Sequence, residues 1–83
     1  MTYSPDVLDA LNLLCLFNLD TRQEGLKIHG SADPARVEAA RRLYDQGLVT
    51  QADGGYLTER GREAAEQAQA LWRLLVAEPV TTG

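Results

Sequence analysis

Three stretches of the chain repeat apolar residues at helical spacing, and a fourth alternates apolar with polar residues. In "YSPDVLDALNLLCLFNL", Val7, Leu11 and Leu14 share one face at about 100° per residue, with Leu8 and Cys15 beside it. Leu13 and Leu16 fall on the other side, near Asp9 and Asn12. Ser4 is placed to cap this helix, Pro5 suits its first position, and Asp6 favours its positive end. Tyr3 and Leu8 have the spacing of a hydrophobic staple. The pattern predicts a helix over 5–17. Its apolar residues run nearly all round, so it is expected to be covered on more than one side.

The same start signal returns in "ADPARVEAARRLYDQG": Asp33 caps, Pro34 opens and Gly47 closes. Val37, Ala40, Leu43 and Tyr44 form its expected inward stripe. Ala35, Glu38, Arg42 and Asp45 face away, with Arg41 on a flank. "LVTQA" and "YLT" read as short strands around "DGG", a hairpin signal because glycine tolerates positive φ. Thr58 then caps a long helix that should end before Pro79. Its apolar line is Gly61, Ala64, Ala65, Ala68, Leu71, Trp72 and Leu75, small at the start and large at the end. Residues 18–33 carry two open readings. Asp20 or Thr21 could cap a short helix through Glu24 with "LKIH" as a short strand after it, or a second helix could reach Ile28. The expected domain is 1–78, followed by a disordered tail at 79–83.

Helix, irregular segment, helix, hairpin, helix is the order of a winged helix-turn-helix. "RRLYDQGLVTQADGGYLTERGRE" resembles the end of a recognition helix, the wing and the next helix in bacterial regulators of the MarR and PadR type. Over about residues 3–76, "LNLLCLF", "LKIH", "ADP" and "QADGGYLT" resemble a small family of bacterial proteins labelled as DNA-binding. The resemblance implies a mainly α fold, a winged helix-turn-helix. It would have a small two- or three-stranded antiparallel sheet (wing 48–57) and a long C-terminal helix. It implies a small transcriptional regulator that sets helix 34–46 in the major groove of double-stranded DNA. One departure stands out: "KIHGSAD" is polar and glycine-rich where a helix-turn-helix places a short helix and a tight turn.

Charge complicates that expectation. The net charge is −4, which disfavours a generic nucleic-acid binder. Residues 34–47 are the one net-positive segment: Arg36, Arg41 and Arg42 against Glu38 and Asp45 give +1. Arg36, Arg41, Arg42 and Gln46 are therefore the candidate nucleic-acid contacts. Asp53 at the hairpin tip would repel a phosphate. The alternative is a winged-helix module that binds protein and no DNA. A continuous basic face would favour DNA, whereas basic residues dispersed among carboxylates would favour a protein partner. A homodimer is expected through Leu13, Leu16, Phe17, Leu71, Trp72 and Leu75, since small domains seldom leave wide apolar faces bare.

The remaining chemistry is sparse. One cysteine and one histidine do not make a zinc site, and no cofactor motif stands out. No nucleophile has an evident base beside it, so no enzyme is expected. A single cysteine excludes an internal disulfide and predicts a cytoplasmic protein. The longest apolar run, "LLCLF", is far short of a membrane span.

Overall fold

The computed structural model describes residues 1–80. Its elements run α1 (Pro5–Leu14), β1 (Leu26–Lys27), α2 (Pro34–Asp45), β2 (Val49–Gln51), β3 (Gly54–Leu57) and α3 (Glu59–Val76). Three helices and a three-stranded antiparallel sheet of order β1-β3-β2 make a mixed α/β fold ending in a long helix. The segment between α1 and α2 contains the strand and no helix, so neither the short capped helix through Glu24 nor the helix reaching Ile28 forms. Backbone groups there are held by local turns. Asn18 Oδ1 accepts from the Asp20 N–H, Thr21 Oγ1 accepts from the Gln23 N–H, and the His29 carbonyl accepts from the Ala32 N–H.

Helix boundaries follow their caps. Asp33 accepts from the Ala35 N–H at 2.9 Å, and Thr58 accepts from the Gly61 N–H at 3.0 Å. Ser4 occupies the cap position of α1 but makes no side-chain cap; its hydroxyl donates to the Asp6 carboxylate. α1 ends three residues earlier than its apolar run. The Cys15 N–H is shared between the Leu11 and Asn12 carbonyls, and the Leu16 N–H turns back to Leu13. Gly47 closes α2 at φ 75°, as its C′ position requires.

The core joins all three helices and the sheet. Ala10, Leu13, Leu14 and Phe17 from α1 and its last turn meet Ile28, Ala39, Ala40, Leu43, Val49, Ala65 and Ala68. This corrects the expected orientation of α1. Leu13 and Phe17, assigned to a partner surface, are 2% and 5% exposed and belong to the chain's own core. Alanines at 10, 39 and 40 let α1 and α2 lie close, and that contact decides which apolar side of α1 turns inward. Tyr44, expected inward, is exposed at the end of α2.

In the hairpin, Val49 pairs with Leu57 and Gln51 with Gly54, with a register irregularity between them. Thr50 Oγ1 accepts from the Tyr56 N–H at 3.0 Å where the ladder is interrupted. β1 lies against β3, Leu26 opposite Gly55 and Lys27 opposite Gly54. Gly54 has φ 120°, and a Cβ there would run into the Leu26 carbonyl. Among the described residues, no helix is long and apolar enough to cross a membrane. Pro79 and Val80 carry no regular structure, and residues 81–83 of the expected tail lie outside the described residues.

Candidate functional site

The α2 arginines lie near carboxylates, two of them, Asp6 and Asp9, contributed by α1. Arg42 pairs with Asp6 across the α1–α2 contact. Arg41 pairs with Asp45 one turn along its own helix at 3.7 Å. Arg36 shares a small depression with Asp9 and Asp33. Gln46 caps the end of α2 through its backbone and is exposed. The cleft between α1 and α2 holds about 690 Å³. Its walls carry Asp6, Asp9, Glu38 and Asp45 against Arg41 and Arg42, four negative groups to two positive.

Asp6 is held in its charged form by its neighbours. Its carboxyl lies below the usual 3.8, first because the Ser4 hydroxyl donates to it; backbone N–H groups and the Arg42 guanidinium add to this. The carboxylate therefore stays charged beside α2.

The hairpin tip adds no positive field. A second cleft, about 340 Å³, lies among the end of β1, α2 and the tip; it offers Lys27 and Arg41 against Glu38 and Asp53. Asp53 also serves the fold, since its backbone carbonyl accepts from the Ile28 N–H at 2.8 Å. Two further arginines hold the frame. Arg22 pairs with Glu59, and Arg62 donates to the Leu19 carbonyl at 2.6 Å. Among the described residues, Lys27, Arg36, Arg60 and Arg73 have no carboxylate within 4 Å. Of the eight Lys and Arg residues, three, Arg22, Arg41 and Arg42, sit in ion pairs among the described residues. The described residues gather no cluster of three His, Cys, Asp or Glu that could hold a metal ion.

A second surface lies at the other end of the molecule. Trp72, Leu74, Leu75 and Val76 are between 57% and 77% exposed on the last turns of α3. Beside them runs a groove of about 430 Å³ walled by Cys15, Gln69, Trp72 and Arg73. Gln69 anchors α3 to the end of α1. Its side-chain amide donates to the Phe17 carbonyl at 2.9 Å and to the Leu14 carbonyl at 3.3 Å. Of the residues expected at a dimer interface, Leu16, Trp72 and Leu75 are exposed, Leu71 is half-buried, and Leu13 and Phe17 are inside. Leu74 belongs to the bulky helix end that the sequence marks with Leu71, Trp72 and Leu75, and it is 77% exposed. Val76 and the anchoring Gln69 were not singled out from the sequence. Gln69 has no local signal, because its partners are more than fifty residues away.

No curated protein and no solved structure matches the chain. One family profile does match, over residues 1–76, nearly the whole of the ordered fold. The chain belongs to that family, a family of unknown function (DUF5669).

Proposed function

We propose that the chain is a protein-interaction module on a winged-helix-type scaffold. The scaffold reading is supported by the order α2, hairpin, long helix and by the sheet order β1-β3-β2, in which the hairpin's second strand lies between the other two. The helix that would precede α2 in a helix-turn-helix is replaced by the His29–Ala32 turn. The observation that carries the functional reading is the charge around α2: Arg41 and Arg42 are in ion pairs with Asp45 and Asp6, and Arg36 lies in a depression that Asp9 and Asp33 also line. A phosphate arriving at this helix meets Asp6, Asp9, Glu38 and Asp45 as well as Arg41 and Arg42. The α3 end, by contrast, offers apolar area without a cover.

The test is fluorescence anisotropy of a labelled generic duplex titrated with the protein at low and moderate salt. The module reading expects no binding at either. Micromolar binding that weakens steeply with salt would overturn it.

That outcome would support the second reading, a small DNA-binding regulator with α2 in the major groove. It has one observation in its favour. The Arg41 and Arg42 side chains are 65% and 42% exposed, and exposed ion pairs contribute only about 0–1 kcal/mol, so a phosphate can displace a carboxylate there.

A further inference from the structure

The buried and exposed apolar positions of α3 lie on one seam. Gly61, Ala65, Ala68, Trp72 and Leu75 follow one another at spacings of four, three, four and three, the repeat that lets two helices run side by side. The first three are buried in the chain's own core. Trp72 and Leu75 are 57% and 75% exposed, and Val76 beside them is 57% exposed. The seam is therefore occupied along its first half and empty along its second.

The empty half has a charge that suits self-association. Residues 67–77 contain no Asp or Glu, and their single charged residue, Arg73, lies beside the seam. In a chain of net charge −4, two copies can meet here without opposing carboxylates. Shape points the same way. The radius of gyration is 13.9 Å, against roughly 12 Å for a compact chain of this length, and the longest extent is 50 Å. Trp72, Leu75 and Val76 are each more than half exposed and adjoin one another at the helix end, so the bare seam is one apolar patch. The adjoining groove, walled by Cys15, Gln69, Trp72 and Arg73, supplies further contact area.

Resting on the interaction-module reading, we propose that the occupant of this seam is a second copy of the chain. Two α3 helices pair antiparallel about a two-fold axis between Trp72 and Leu75, and Leu75 and Val76 of each enter the groove of the other. Antiparallel pairing follows from the position of the body. It covers the N-terminal half of α3, so parallel helices would bring two bodies to one place, and antiparallel ones send them to opposite ends.

Sedimentation equilibrium of the full chain from about 1 to 500 µM tests this. The expected mass approaches twice 9.1 kDa at the upper end. The single tryptophan should shift its emission to shorter wavelength over the same range. Leu75→Glu should stay folded by circular dichroism, since the site is exposed, and should weaken the dimer by about 100-fold or more. Leu74→Glu, 77% exposed but off the seam, should still dimerise. A wild-type chain that stays at 9.1 kDa throughout overturns the proposal, as does a dimer lost with Leu74→Glu and kept with Leu75→Glu. Those results leave the interaction-module reading standing, which the duplex titration decides separately.

Discussion

Gly61 shows how one missing side chain sets the distance between two elements. It is buried within α3, and a Cβ at that position would run into the Leu48 backbone carbonyl, which cannot rotate away. Alanine in a helix interior is ordinarily better than glycine by about 1 kcal/mol. Overpacking against fixed backbone costs about 1–3 kcal/mol or more, so the clash should win. Gly61→Ala is expected to lower stability in urea unfolding; a gain would show that α3 and the hairpin base are not in close approach. Asp6 carries the pH prediction. Its folded carboxyl titrates below 3.8, so its contribution to stability is present above that value and lost as pH falls through the lower folded one. In Asp6→Asn the slope of stability against pH should flatten in this acid range, and an unchanged slope would remove Asp6 from the acid response.

Among the elements, α2 and α3 were legible because their caps are local. Asp33 and Thr58 each sit directly before a helix and bond its first free N–H groups. Thr58→Ala should cost about 1–2 kcal/mol, readable as a lowered urea midpoint with an unchanged slope. The inward side of α1 was not legible. With apolar residues nearly all round, its own periodicity cannot choose a face, and the choice falls to Ala39 and Ala40 on a helix some twenty-five residues away. β1 was legible only as one of two readings, since "LKIH" offered a short strand beside a helix reaching Ile28. A two-residue strand has almost no pattern of its own, and Gly54 is what lets Leu26 and Lys27 approach β3.

For the molecule as a whole, the sequence picked out the α2 arginines and the acids of their own helix, Glu38 and Asp45, but not those that α1 brings to them. Asp6 and Asp9 belong to another helix, so only the fold reveals that they stand over the same cleft as Arg41 and Arg42. If this local acid field withholds α2 from phosphate, the double substitution Asp6→Asn, Asp9→Asn should bring out weak, salt-sensitive duplex binding in the anisotropy titration. Continued absence of binding would mean that charge is not what keeps DNA away.

Thr58 has a further consequence in time. Its hydroxyl donates to the Gly47 carbonyl at 2.7 Å while accepting from Gly61, and its N–H donates to the Leu48 carbonyl at 3.1 Å. One residue therefore fastens the exit of α2, the base of the hairpin and the first turn of α3. These three places should open together as one cooperative unit. In native-state hydrogen exchange, the Thr58 and Gly61 amides are expected to share one opening free energy, well above that of the projecting last turn of α3. If the hairpin base exchanges while the start of α3 stays closed, the two are separate units and the knot at Thr58 does not hold them together.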